Sequence, residues 1–233
     1  MESLEDELRR GRDLDVADLA DAIETIGFEC TRCGACCKGS GATAPEDAGG
    51  HGPRAHGDDE HTATVFPGEV RDLQAATEYD WRDVARPMPF GLREGEDGPE
   101  GETFEWALQT DDCGDCTFYE EDADGTGACT AHADRPLICR TYPFSVALGG
   151  TSQPMGEAVD EEGLVRAHEC EGLGRDISRA DAEDLAAALK ERAVRELEEA
   201  IKVRDEYEPV DVNGIIVHDS EGQKRPDGTQ VEK

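Results

Sequence analysis

The chain has 233 residues, with 56 acidic against 23 basic side chains for a formal charge of −33, and only 36% hydrophobic and 5% aromatic residues. A surface this acidic lacks the basic patches that nucleic acid or an anionic membrane requires, so neither is expected as a partner. It suits high salt, where self-repulsion is screened. So few large apolar side chains bury a thin core, and nine cysteines are available to reinforce it.

The first residues, Met1-Glu2-Ser3-Leu4-Glu5-Asp6-Glu7, are acidic and carry neither the basic nor the apolar region of a signal peptide. No stretch approaches the roughly 18 apolar residues of a membrane span. A cytoplasmic protein is expected. In that reducing compartment, closely spaced cysteines read as metal ligands or catalytic thiols rather than as disulfides.

Val16, Leu19, Ala20, Ile23 and Ile26 recur at three- and four-residue steps, which predicts an amphipathic helix over 14–26 stopped by Gly27. A first cysteine run follows at once: Cys30, Cys33, Cys36 and Cys37. Residues 39–62 are rich in Gly, Ala, Pro, His and acid and read as a mobile insertion. His51, His56 and His61 lie in it at five-residue spacing and read as surface histidines rather than ligands. Pro67 in a first turn predicts a helix over 67–77. Residues 94–101 read as an acidic Gly/Pro loop, and the alternation from Thr103 to Leu108 as a short strand.

A second cysteine group comprises Cys113, Cys116, Cys129 and Cys139, and Cys170 stands alone before Gly172 and Gly174. Leu185, Leu189, Ala193, Leu197 and Ile201 repeat every four residues, and Ser178 with Asp181 resembles a capping box, so a scaffold helix is expected over 180–206. The tail after His218 is polar and expected to be disordered.

Cys30, Cys33 and Cys36 form C-x2-C-x2-C, a spacing that lets successive thiolates converge on one centre. Three such cysteines with a remote fourth suit an iron–sulfur centre, and paired C-x2-C units equally suit a four-cysteine zinc site. Cys37 is an oddity, because adjacent side chains diverge on a helix or strand. Cys36 and Cys37 are therefore expected to serve two metals or to flank one polynuclear cluster, which favours iron–sulfur.

The second group sits in Cys116-Thr117-Phe118-Tyr119, Gly127-Ala128-Cys129-Thr130 and Arg135-Pro136-Leu137-Ile138-Cys139-Arg140-Thr141-Tyr142-Pro143-Phe144. With the first run and Cys170-Glu171-Gly172-Leu173-Gly174, this pattern resembles the YkgJ-type cysteine-cluster proteins, which carry a zinc- or iron-chelating domain. The resemblance spans about residues 28–175. Phe118-Tyr119 departs slightly from the family's Phe-Leu, and Cys113 falls outside the pattern, so it reads as an incidental thiol.

The resemblance implies metal chelation through Cys30, Cys33, Cys36, Cys37, Cys116, Cys129, Cys139 and Cys170. The expected cofactor is an iron–sulfur cluster of the 4Fe-4S type, with zinc as the alternative. Flagellin lysine N-methylase shares the cluster, so an oxidoreductase or a methyltransferase is the enzymatic alternative, and no reaction is assigned. A redox or protein partner is left open. Arg135 and Arg140, which bracket Cys139, could offset thiolate charge, bind an anion or bond loop carbonyls. His132 and His168 are not needed as ligands, and Pro136 and Pro143 stiffen the Cys139 loop.

The expected fold is a small α-rich, irregular, metal-stapled domain with little β structure. Helices lie outside loops 28–40, 112–144 and 168–174, which converge on the metal. Its parts are an N-terminal helical segment (1–27), the cysteine-cluster domain (28–175, with 39–62 inserted), a C-terminal scaffold helix (176–210) and a disordered tail (211–233).

Overall fold

The computed structural model describes residues 3–39, 60–96, 98–148, 157–159, 163–210 and 213–231. The mobile insertion expected at 39–62, with His51 and His56, lies outside the described residues except for its ends. In chain order the elements are α1 (Leu4–Asp13), α2 (Val16–Ile26), β1 (Thr64–Val65), α3 (Pro67–Ala76), α4 (Trp81–Val84), β2 (Ala85–Pro87), β3 (Leu92–Gly95), β4 (Gly98–Thr103) and β5 (Trp106–Leu108). They continue as β6 (Tyr119–Glu121), β7 (Gly127–Cys129), a 3-10 turn (His132–Asp134), α5 (Leu137–Thr141), β8 (Phe144–Val146), β9 (Glu157–Ala158), β10 (Val165–Ala167), α6 (Arg179–Glu206), β11 (Ile215–Asp219) and β12 (Gly222–Lys224).

Two compact units result. The first is built from Met1–Thr31 and Pro136–Glu208, the second from Arg32–Arg135 and Pro209–Lys233. The division falls inside the first cysteine run.

The first unit packs α1, α2 and the three-stranded sheet β8-β10-β9 against α6. Its core joins Leu8, Leu19, Ile23, Phe144, Val146, Val165, Leu189 and Leu197. Asp15 caps α2 by accepting from the Ala17 N–H, and Gly27 ends it at φ 74°. Ser178 caps α6 through the Asp181 N–H at 3.1 Å, so the expected cap forms.

The second unit holds the sheets β1-β5-β2, β12-β11-β4-β3 and β6-β7. Glu69 accepts from the Phe66 N–H at the start of α3. Trp106, 1% exposed, donates its indole N–H to Asp219 at 2.8 Å. Asp219 pairs with the buried Lys224 at 2.9 Å, and the Lys224 ammonium lies 5.0 Å from the Trp81 ring centre. A charge this deeply placed persists because it is paired and capped by an aromatic face.

The α-rich expectation is therefore corrected. The protein is a mixed fold, 36% helix and 23% strand, with four sheets among the described residues. Its strands are two to six residues long and pair mainly through backbone, so most leave no alternation of apolar and polar side chains to read; the strand expected over 103–108 is divided, with Thr103 ending β4 and Trp106–Leu108 forming β5. Of residues 94–101, expected as a loop, 94–95 belong to β3 and 98–101 to β4, which pair as a hairpin with Leu92 opposite Gly101 and Gly95 opposite Gly98. The tail expected to be disordered carries β11, which pairs in parallel with β4 (Ile215 with Gly101), and β12.

Candidate metal centre

In the second unit the first cysteine run turns on Gly34. This residue has φ +77°, and a Cβ there would collide with the Tyr119 hydroxyl. The positive φ lets the Cys37 and Lys38 N–H groups both reach back to the Gly34 carbonyl, at 2.8 and 3.0 Å. Just upstream, Arg32 also has positive φ (60°), and its carbonyl accepts from the Gly127 N–H at 2.7 Å. A Cβ on Gly127 would stand 2.6 Å from the Tyr119 ring, so that ring is clasped between two glycine backbones. Lys38 lies over the same ring and pairs with Glu121, which also accepts from the Tyr119 hydroxyl at 2.6 Å.

Within this turn the Cys36 and Cys37 sulfurs lie 3.7 Å apart. This corrects the expectation that neighbouring cysteines diverge. That rule holds for a repeating helix or strand, and residues 35–37 form a tight turn.

Cys116 follows a second turn, organised by Asp111, whose carboxylate accepts from the N–H groups of Cys113 (2.8 Å) and Asp115 (3.0 Å). The Cys116 N–H donates to the Cys37 carbonyl at 2.8 Å, joining the two turns. Cys129 ends β7, opposite Tyr119 in β6. Cys36, Cys116 and Cys129 lie close enough to feel one another's charge. Three chain segments thus carry Cys36 with Cys37, Cys116 and Cys129 within range of one another's charge, and of these sulfurs Cys36 and Cys37 approach to 3.7 Å. Cys33, half-buried, shares the first loop.

The thiols differ in character. The neighbouring Cys37 thiol, followed by Cys36's own backbone and Arg135, draws Cys36 down to about 7 against the opposing effect of burial. Burial pushes Cys116, 7% exposed, up to about 11, with the charges of Cys129 and Cys36 adding to it. Burial likewise raises Cys129, and Arg135 opposes this. Arg135 plays two of its expected parts, since it also donates to the His132 carbonyl at 3.2 Å. Arg140 is exposed. Cys113 is exposed.

His61 is a residue whose weight the sequence reading missed. It is 9% exposed, and its Nε2 lies 2.9 Å from the Cys36 carbonyl. Burial lowers its pKa. Nothing in a Gly- and acid-rich stretch distinguishes it from a surface histidine.

The first unit holds Cys30, Cys139 and Cys170. Glu29 donates its N–H to the Gly172 carbonyl at 3.0 Å, Phe28 bridges Leu173, and Thr31 bonds Glu171, so the segments bearing Cys30 and Cys170 run side by side. A side chain on Gly172 would collide with the Glu29 carbonyl, which explains a glycine two residues after Cys170. Cys139 lies on α5. The Tyr142 hydroxyl at its end donates to the Glu169 carbonyl at 3.1 Å, next to Cys170. Arg192 of α6 holds this helix through the Thr141 hydroxyl at 3.0 Å. His132 and His168 are exposed, and His168 stands edge-on to Tyr142 at 6.0 Å.

All nine cysteines are thiols. Among the described residues, no three His, Cys, Asp or Glu side chains stand close enough together to hold a metal ion. The donors nevertheless suit a soft cation. Two thiolates on one tetrahedral zinc, with bonds of about 2.3 Å, stand about 3.8 Å apart. Cys36 and Cys37 are already at 3.7 Å.

Thiols gathered from short loops, in a small mixed fold, define a cysteine-based metal-chelating domain. The comparison with known families agrees. Residues 29–171 match the CxxCxxCC family, described as a putative zinc- or iron-chelating domain, and the chain belongs to that family. It has no match among curated proteins or solved structures. No helix among the described residues is long and apolar enough to cross a membrane.

Proposed function

We propose that the eight matched cysteines, Cys30, Cys33, Cys36, Cys37, Cys116, Cys129, Cys139 and Cys170, are metal ligands, and that Cys36, Cys37, Cys116 and Cys129 form one four-thiolate centre in the second unit. The observation that carries this reading is the approach of the Cys36 and Cys37 sulfurs to 3.7 Å, the spacing of two ligands on one tetrahedral ion. When bound, the ion cross-links three chain segments that few large apolar side chains would otherwise hold. Structural metal binding of this kind contributes about 10 kcal/mol or more of apparent free energy, as much as the whole stability of a typical domain. Arg135 offsets part of the negative charge that four thiolates would concentrate. A reducing cytoplasm is the compartment in which nine thiols persist.

An iron–sulfur cluster is the second reading. It is favoured by the C-x2-C-x2-C triplet and by a donor set made entirely of thiols. Purification without oxygen, followed by metal and acid-labile sulfide analysis, separates the two. Zinc or iron without sulfide supports the mononuclear centre; a brown protein with sulfide supports the cluster. In either case Cys36→Ser and Cys116→Ser should lose metal and broaden the unfolding transition, whereas Cys113→Ser should keep both at wild-type values. Full metal content in Cys36→Ser would remove the basis of the assignment.

A further inference from the structure

We propose that His61 is the positioning residue of the second unit's thiol group, acting through a hydrogen bond from its Nε2–H to the Cys36 carbonyl. The inference rests on the four-thiolate reading above and concerns how the chain keeps that site in shape.

The argument begins with the two consecutive carbonyls of Cys36 and Cys37. A carbonyl can only accept, so the 2.9 Å contact to Cys36 places the imidazole proton on Nε2. The Cys37 carbonyl is held by the Cys116 N–H at 2.8 Å. Adjacent side chains reach the same side only if the peptide planes between and after them are rotated away from regular geometry, and a carbonyl turned in this way needs a donor. Each of these two has one. If the Cys36 carbonyl lost its donor, its peptide could rotate and carry the Cys36 sulfur away from Cys37.

His61 is itself fixed, as a positioning residue must be. Its backbone N–H donates to the Gly114 carbonyl at 2.9 Å, on the turn that leads into Cys116. Its backbone carbonyl accepts from the Arg86 guanidinium at 2.9 Å, and Arg86 pairs with Glu60 at 3.1 Å. One residue thus joins the turn bearing Cys36 and Cys37 to the turn bearing Cys116. Nδ1 is buried and makes no hydrogen bond among the described residues, so a single bond from the ring carries its polar role. A ring chosen for packing alone would not need that nitrogen, because a leucine fills similar space without an unsatisfied acceptor.

The test uses the full chain, prepared metal-free and titrated with cobalt(II), whose thiolate charge-transfer and ligand-field bands report both affinity and geometry. Glutamine places an amide N–H near the position of Nε2, whereas asparagine is too short to reach the Cys36 carbonyl. His61→Gln should bind cobalt within about threefold of wild type with unchanged bands. His61→Leu and His61→Asn should bind about tenfold more weakly or worse, the usual cost of removing a group that orients a metal ligand, and with shifted bands. A residue that only supports the fold would lower the melting temperature of the metal-free variants and leave the bands in place. Unshifted bands and equal affinity in His61→Leu overturn the proposal while the metal centre stands. If the leucine variant does not fold, equal binding by the glutamine and asparagine variants overturns it just as well. A wild-type chain that binds no cobalt sinks both readings.

Discussion

At Gly34 a missing side chain does two things at once. Its φ of +77° costs an L-residue about 1–2 kcal/mol, and the collision with Tyr119 adds about 1–3 kcal/mol if the ring must shift. Gly34→Ala is therefore expected to lower stability by about 2–5 kcal/mol and to part the two sulfurs that the turn brings together. Gly125 provides the control. Its φ is +81°, yet nothing stands within 4 Å of the position a Cβ would take, so Gly125→Ala should cost only the backbone part. Chemical denaturation of both variants measures the difference. Equal losses would show that Tyr119 yields freely and does not brace the cysteine turn. This position also shows what the sequence could convey. The C-x2-C-x2-C-C spacing announces a metal-binding run because it is a property of the chain alone. The convergence of Cys36 with Cys37 depends on a turn braced by Tyr119, 85 residues further along. The same is true of His61, whose role is set by a carbonyl 25 residues upstream.

Among elements, those with a long repeating face were readable and those held by backbone pairing were not. The helices expected over 14–26, 67–77 and 180–206 are found at Val16–Ile26, Pro67–Ala76 and Arg179–Glu206, because each announces its buried stripe or its cap in local sequence. The β3–β4 hairpin and the β11–β12 pair announce nothing of the kind. Gly98-Pro99-Glu100-Gly101 is loop-like in composition and becomes a strand because β3 pairs along it, with β11 joining on the other side from Gly101 onward. The β11–β12 hairpin carries ionic contacts at its turn besides its backbone pairing. Glu221 accepts from Arg71 (3.0 Å for one of two bonds) and from Lys224 at 2.7 Å. Arg71 foremost, with Lys224 beside it, holds the Glu221 carboxyl down to about 2 against the opposing effect of burial, from an ordinary 4.5. A carboxyl with a depressed folded-state pKa stabilises fully above pH 4.5, and that contribution is lost as the pH falls toward 2. Glu221→Gln should accordingly be less stable at pH 7, with a shallower loss between pH 4.5 and 2.5. Urea midpoints across this range test it, and parallel curves for variant and wild type would refute it.

For the whole molecule the governing quantity is the −33 charge, set against 23 basic residues of which only five are lysine. Salt acts on it in two opposed ways. It weakens the surface ion pairs, such as Arg93 with Glu100 (77% and 37% exposed) or Arg9 with Asp6 (65% and 46%). Pairs this exposed contribute little. Salt also screens repulsion among the many carboxylates that have no basic partner, and this repulsion favours the expanded chain. With 56 acidic residues to 23 basic ones, each basic residue can neutralise one acid at most, which leaves 33 in excess, so relief of repulsion outweighs loss of pairing. The melting temperature should therefore rise from 0.05 to 1 M NaCl, by several degrees. Most of the gain should come below about 0.5 M, since the Debye length has already fallen from about 10 Å at 0.1 M toward about 3 Å at 1 M. That early saturation distinguishes screening from the exclusion of a salting-out ion, which continues to stabilise in proportion to concentration. Calorimetry in NaCl, KCl and tetramethylammonium chloride should give superimposable curves. A melting temperature that falls with salt would mean that the ion pairs, rather than the unpaired carboxylates, dominate the charge energetics of the fold.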